Sequence, residues 1–287
     1  MKNWLLAIRI KTLTAAISPV IIGSVLAYHD GLFKGAIFVI ILITAILIQI
    51  GANIANDVYD FEKGSDRPDR LGPTRVTQAG LISPRKMKQG MGIVFSLAIC
   101  CGAFLVNEGG WPIVCIGLAS IVAGIAYTGG PYPLGYHGWG DVFVFIFFGL
   151  IAVPGTYYLH LGYITKLSIY AGVAMGMLSS ALLLVNNIRD IDEDKLSGKK
   201  TLAVRIGENA SRVQYMVLML LPLFFPIYFW WIYNKMSLLI LLFLFPYSFH
   251  LIKKIYLLKG VKLNKLLENT SHFIIMYTLL FSIGLIV

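Results

Sequence analysis

Runs of about twenty apolar residues, the length that crosses a bilayer as a helix, recur along nearly the whole chain. They lie near residues 12–29, 34–56, 89–107, 111–128, 141–160, 166–188, 212–233, 236–258 and 270–287. Hydrocarbon offers the backbone no hydrogen-bond partner, so such runs must satisfy their own peptide groups. Barrel strands would alternate in polarity over about ten residues. These runs are longer and continuously apolar, which selects helices. The composition agrees: 57% of the residues are apolar, 13% are charged and the mean hydropathy is +0.77. Water-soluble domains carry about 25% charged residues. The expectation is an all-α integral membrane protein with about nine transmembrane helices, residues 1–287 forming a single transmembrane domain. Lys2, Arg9 and Lys11 precede the first run. No small-residue cleavage site ends that run, so it reads as a retained anchor rather than a removed signal.

Charge sets the orientation. With the N-terminus in the cytoplasm, only Lys34, Lys166 and Lys235 of the 24 Lys and Arg fall on the other side. That bias places the N-terminus inside and the C-terminus outside. The formal net charge of +10 then belongs to loops that face anionic lipid and a polyanionic ligand, not to nucleic acid. The three cysteines, Cys100, Cys101 and Cys115, lie inside expected spans without C-x-x-C spacing. The five histidines are scattered. Neither pattern builds a zinc site.

The acids are as uneven as the bases. Of the 14, Asp57, Asp60, Glu62, Asp66 and Asp69 follow the second run. Asp190, Asp192, Glu193, Asp194 and Glu208 follow the sixth, on the same face. Each group begins where an apolar helix ends, and asparagines precede it. In the first group Asn53, Asp57 and Asp60 recur at i, i+4 and i+7, and Asn56 and Asp60 at i, i+4. In the second, Asn186, Asp190 and Asp194 recur at i, i+4 and i+8. Each set shares a helical stripe. Oxygen ligands of this kind suit a hard cation such as Mg2+, which takes one or two carboxylates together with phosphate oxygens. Lys and Arg follow both acidic runs and would neutralise the rest of a diphosphate. One such loop alone is equally a salt-bridged surface; two on one face point to a metal–diphosphate site. Asn53 and Asn186 lie in apolar surroundings, where polar groups are costly.

The stretch N-D-V-Y-D-F-E-K-G-S-D-R-P-D-R-L-G-P-T-R (56–75) resembles the first signature of the UbiA superfamily of intramembrane prenyltransferases. The stretch N-N-I-R-D-I-D-E-D-K-L-S-G-K-K-T-L-A-V-R-I-G (186–207) resembles the second. The resemblance covers essentially the whole chain. Its K-G-S-D-x-P-D-R form is similar to the naphthoate branch of the superfamily. Many members carry an acid four positions after the residue matching Asp60; here that position is Gly64. The outer ligand is therefore Glu62 or Asp66.

What the resemblance implies is a UbiA-like bundle that transfers a polyprenyl chain from its diphosphate to an aromatic acceptor. In the naphthoate branch the acceptor is 1,4-dihydroxy-2-naphthoate, and CO2 and diphosphate are lost. Asn56, Asp57, Asp60, Asp190 and Asp194 would hold Mg2+ or another divalent cation. Lys63, Arg67, Arg75 and Lys199 would bind the diphosphate. A third stretch, from Tyr127 to Asp141, is rich in Gly and Pro and joins two spans on the same face. Its aromatics suit either interfacial anchoring or the shielding of a carbocation. Together with Tyr59, the residues Tyr127 and Tyr132 are the candidates for the catalytic role. Pro154, Pro222 and Pro226 are expected to kink helices and to open a lateral path for a lipid tail. The expected location is a bacterial inner membrane with the site facing the cytoplasm. Other aromatic acceptors, such as 4-hydroxybenzoate, remain alternatives. An ion-coupled transporter would instead place its charges near the bilayer midplane.

Overall fold

The structure is a computed structural model and describes residues 2–66 and 70–287. Among these residues it contains helices and no strand. The helices are α1 (Lys2–Ile8), α2 (Thr14–His29), α3 (Gly35–Glu62), α4 (Pro84–Gly109), α5 (Trp111–Ala126) and α6 (Gly140–Leu161). Then follow α7 (Lys166–Arg189), α8 (Ile191–Leu196), α9 (Leu202–Ile206), α10 (Glu208–Ile232), α11 (Met236–Leu257) and α12 (Gly260–Ile286). Seven are long and apolar enough to cross a membrane; the pair Lys2–Thr12 and Thr14–His29, bent by 52°, makes an eighth if counted as one span. The run expected near 111–128 is the 16-residue helix α5, which is short for a crossing. It ends because the Gly- and Pro-rich connection that follows leaves the helix at Tyr127.

α7 is the central post. It starts with a capping box in which the Thr165 hydroxyl accepts from the Ser168 N–H and the Ser168 hydroxyl accepts from the Thr165 N–H. Most of its side chains are buried, whereas α3 and α4 turn most of theirs outward. An apolar helix with small residues on all sides can be surrounded by others. Gly172 and Gly176 let α6 approach until a Cβ on Gly149 would stand 2.5 Å from the Gly172 carbonyl oxygen. Phe145–Ile151 is a π-helical stretch within α6, a widening that recurs at functional sites. Pro154 follows it within the same helix, and Pro222 lies in a single 3-10 turn that interrupts α10.

Among the described residues, three apolar clusters fill the bundle. The largest joins α2, α6, α7, α10, α11 and α12 through residues such as Tyr157, Met175, Tyr215, Leu251 and Phe273. A second joins α2 to α6 through Val20, Ile41, Leu105, Ile113 and Leu159, and a third joins α1, the end of α3 and the start of α4 through Ala7, Val58 and Met87. At one end of the bundle lie α1, the end of α3, the 127–139 connection, the end of α7, α8, α9 and the start of α12. Hydrogen bonds such as Arg205 Nη2 to the His137 carbonyl (2.9 Å) and Asn264 Nδ2 to the Leu71 carbonyl (2.9 Å) tie these pieces together. At the other end Lys34 pairs with Glu108 at 2.9 Å and its N–H donates to His160 Nδ1 at 3.2 Å.

Candidate active site

Asp57 and Asp60 occupy the last turns of α3. A carboxylate near a helix C-terminus is opposed by the helix dipole, so each needs compensation from elsewhere. Asp60 is 2% exposed and receives it from three segments. Arg75 Nη2 donates to its Oδ2 at 3.0 Å, and Tyr136 Oη and Lys199 Nζ donate to its Oδ1 at 2.8 and 3.0 Å. Arg75 comes from the first acidic loop, Tyr136 from the connection after α5 and Lys199 from the second acidic loop. Asp60 is thus the point at which the separate motifs meet.

Asp190 is held on the other side. Arg189 grips its two oxygens at 2.6 and 2.7 Å. Arg70, which also pairs with Asp66 at 3.3 Å, reaches Asp190 at 3.6 Å. Arg189 Nη1 donates to Asn264 Oδ1 at 2.6 Å. The Leu71 N–H donates to Glu193 at 2.9 Å. The two acidic loops therefore pack against each other. The stripe of Asn186, Asp190 and Asp194 does not lie on one unbroken helix, because α7 ends at Arg189 and α8 begins at Ile191. All three still face the same cavity.

That cavity has a volume of about 1100 Å³. Its polar end is lined by Asn56, Asp60, Arg75, Asp190, Asp194 and Lys199, with Arg70, Arg189, Tyr127 and Tyr136 beside them. The rest is apolar and runs between α2, α3, α4, α5, α6 and α7 down to Ile113 and Leu159. Ile10, Ile99 and Leu118 line it and are more than half exposed. The cavity is partly open rather than enclosed.

Several expected site residues stand elsewhere. Asp57 does not line the cavity. It is 1% exposed, and its oxygens accept the N–H groups of Val76 and Thr77 at 3.1 and 2.9 Å. It anchors the loop that carries Arg75 and stands behind the cavity wall, whereas Asp60 stands on it. Tyr59 packs against Gly129 and lies 5.7 Å beneath the Lys88 ammonium, away from the cavity. Tyr132 is on the surface, stacked on His137 at 3.7 Å. Lys63 points to the Gly130 carbonyl at 3.4 Å and lies over the Tyr136 ring. These positions remove Tyr59, Tyr132 and Lys63 from the cavity wall. Arg67 lies outside the described residues. Of the two candidates for the outer ligand, Glu62 turns outward to Lys88, whereas Asp66 turns inward to Arg70 and Arg75. Tyr136, Arg70, Arg189 and Asn264 were not singled out from the sequence. The first three lie inside the quoted motifs, but their type and spacing do not distinguish them from salt-bridged or interfacial neighbours. Asn264 carries no local signal at all.

The electrostatics fit a cation that arrives with its anion. Burial pushes Asp66 up to about 7, helped by the nearby Asp60. Burial likewise pushes Asp194 up to about 7 against the opposing pull of Lys199. Burial and Asp60 raise the Tyr136 phenol, so it stays a hydrogen-bond donor. Among the described residues, Asp66 Oδ2 is buried without a hydrogen-bond partner, as are Nε and Nη1 of Arg75. Also among them, no three His, Cys, Asp or Glu side chains form a cage that would hold a metal alone. Mg2+ needs no such cage when substrate phosphates complete its shell. Unsatisfied acid and base at one mouth together suit a metal–diphosphate complex.

Comparison with known proteins gives the same direction. The model of the UbiA prenyltransferase family matches residues 16–276. A Haemophilus influenzae protein named 1,4-dihydroxy-2-naphthoate octaprenyltransferase is 40% identical over 227 residues, covering 76% of this chain and 74% of that one. The Escherichia coli protein of the same name is 41% identical over 223 residues, covering 75% and 72%. The solved structure of a UbiA homolog from Archaeoglobus fulgidus bound to GPP and Mg2+ superposes with a TM-score of 0.68 at 15% identity, covering 98% of this chain and 99% of that one. At that identity the likeness concerns the fold.

Proposed function

Because the chain belongs to the UbiA prenyltransferase family, we propose that it transfers a polyprenyl chain from polyprenyl diphosphate to 1,4-dihydroxy-2-naphthoate. CO2 and diphosphate are released, and the product is demethylmenaquinone in its reduced, quinol form. The observation that carries this reading is the meeting of two acidic, base-rich loops at the polar mouth of an apolar cavity. The names of the bacterial relatives support the acceptor. Residues 1–287 are read as one transmembrane prenyltransferase domain in a bacterial inner membrane, with the mouth towards the cytoplasm.

The chemistry follows from charge and exclusion of water. Asn56, Asp60, Asp190 and Asp194 would hold Mg2+, and Asp66 stands behind them. When bound, Mg2+ supplies Lewis-acid charge that makes diphosphate a better leaving group. Arg75 and Lys199, with Arg70 and Arg189, are placed to take up the negative charge that grows on the departing oxygen. Arg75 and Lys199 now pair with Asp60, and Arg189 and Arg70 with Asp190; a cation engaging those acids would free the four bases for phosphate. As the allylic C–O bond breaks, Tyr127, whose ring is held on the cavity wall, is placed to shield the electron-poor carbon, while Tyr136 keeps Asp60 and the ammonium groups of Lys63 and Lys199 in place. The electron-rich ring of the acceptor attacks that carbon, a C–C bond forms, and the ring is restored when the carboxylate leaves as CO2. The apolar cavity holds the chain and keeps water from the reacting carbon.

Membranes that carry the protein, supplied with 1,4-dihydroxy-2-naphthoate, a labelled polyprenyl diphosphate and Mg2+, should yield labelled demethylmenaquinol, recovered as the quinone after oxidation in air. Transfer of label to 4-hydroxybenzoate in preference would replace the acceptor while keeping the family.

A further inference from the structure

Among the described residues, two cations on the cavity wall take no part in the exchange described above: Lys11, which is largely exposed and paired with Glu268 at 3.3 Å, and Arg9. Arg9 sits between α1 and the 3-10 turn Ile10–Thr12, with φ 54° and ψ 62°. A non-glycine residue in the left-handed region costs about 1–3 kcal/mol and persists only where its surroundings impose it. Here they do. Asn53 of α3 donates to the Ile8 carbonyl at 2.8 Å and to the Thr12 hydroxyl at 2.9 Å, and the Thr12 N–H donates to the Arg9 carbonyl at 2.8 Å. The chain is thus pinned on both sides of the kink, and the guanidinium lines the cavity.

That guanidinium is under-used. Its Nη2 is buried and has no hydrogen-bond partner among the described residues. Its nearest acid, Asp57, is 3.9 Å away and already committed to the Val76 and Thr77 N–H groups. The four bases beside the acids, Arg70, Arg75, Arg189 and Lys199, each pair with Asp60 or Asp190, which a divalent cation would take over. Arg9 is outside that exchange, because its acid stays tied to backbone. It therefore keeps one charge for a second, smaller anion. Leu6 and Ile10, its neighbours, line the cavity and are exposed, where an amphipathic aromatic acid would enter. Gln49 faces the same cavity, its Nε2 spent on Asn53 and its carbonyl left for an acceptor hydroxyl.

The geometry points to Arg9 as the residue that receives the carboxylate of the aromatic acceptor and so selects acids over their carboxyl-free analogues. This rests on the reading of the chain as an aromatic prenyltransferase. The test compares wild type, Arg9→Gln and Arg9→Gly with 1,4-dihydroxy-2-naphthoate and with 1,4-naphthalenediol, which lacks the carboxylate. Arg9→Gly suits the left-handed backbone, so it separates loss of the charge from damage to the kink. A charged hydrogen bond of this kind corresponds to about 10- to 100-fold. Both variants should lose about that much kcat/KM on the naphthoate, through KM, with little change on the diol. Their KM for polyprenyl diphosphate should stay as in wild type. Equal losses on both acceptors, an unchanged preference in Arg9→Gly, or a raised KM for the diphosphate instead would each overturn the assignment. Should wild type fail to prenylate the naphthoate, the proposed acceptor falls. Arg9 is then judged in the same way with 4-hydroxybenzoate against phenol, where an unchanged preference overturns it too.

Discussion

Asp57 and Asp60 are three positions apart on α3, both almost fully buried, and their surroundings give them different work. Asp57 satisfies two backbone donors, so Asp57→Ala leaves those N–H groups buried and bare, a loss of about 1–3 kcal/mol. The expected result is a lower melting temperature in detergent, with activity falling as the Arg75 loop loosens; an unchanged melting temperature would return Asp57 to the ligand set. Asp60→Asn keeps the shape but removes the charge at the junction of the motifs. Transfer should drop by about 100-fold or more, and the loss of the charge that holds Arg75 and Lys199 should also lower the melting temperature; near-normal turnover would refute the site. The raised pKa values of Asp66 and Asp194 add a pH dependence. Each carboxyl binds its proton more tightly folded than unfolded, so ionising it costs stability as pH rises from the ordinary value of 3.8 towards about 7. A cation must displace those protons. The apparent affinity for Mg2+ should therefore strengthen from pH 6 to pH 8, and a flat titration series over that range would contradict it.

At the scale of elements, the close approach of α6 and α7 decides whether the cavity exists. The π-helical stretch Phe145–Ile151 presents Phe147 and Phe148 to the cavity, and it can do so because Gly149 abuts Gly172 and Gly176. A Cβ at Gly176 would stand 2.7 Å from the Phe145 carbonyl oxygen, which is backbone and cannot swing aside. Gly176→Ala should cost about 1–3 kcal/mol through overpacking, and Gly176→Leu should leave little folded protein in the membrane. Gly92 and Gly102 of α4 meet nothing within 4 Å, so Gly102→Ala is the control that should fold normally. Equal yields and melting temperatures for Gly176→Ala and Gly102→Ala would show that the contact does not matter. The connection after α5 works similarly on a smaller scale. Gly135 and Gly140 each leave space that the Tyr127 side chain fills, which fixes that ring on the cavity wall.

At the scale of the whole molecule, the mouth and the Lys34–Glu108 end are separated by the length of the bundle. A cysteine placed at Ser197, in a background without Cys100, Cys101 and Cys115, should react with an impermeant maleimide only from the cytoplasmic side. A cysteine at Tyr163 should react only from the opposite side, and the reverse pattern would invert the proposed orientation. Much of this architecture is already legible in the chain. The length and continuity of the apolar runs require membrane helices, because hydrocarbon satisfies no backbone group. The grouping of ten acids after two of those runs marks where the chemistry gathers. What the chain could not disclose is which way each polar side chain turns. Helical spacing put Asn53, Asp57 and Asp60 on one stripe, yet the stripe is wide enough for Asp57 to meet a loop and Asp60 to meet the cavity. Tyr136 and Tyr132 share one Gly- and Pro-rich segment, and only the packing of that segment against Lys199 and Ser65 makes Tyr136 the inner one. Arg9 and Asn264 come from regions with no motif and reach the site through the bend of α1 against α2 and the seating of α12. Local sequence determines whether a segment can live in lipid and which residue types can bind a charge. The direction in which each charge points depends on contacts between residues far apart in the chain, and those exist only once the helices have packed.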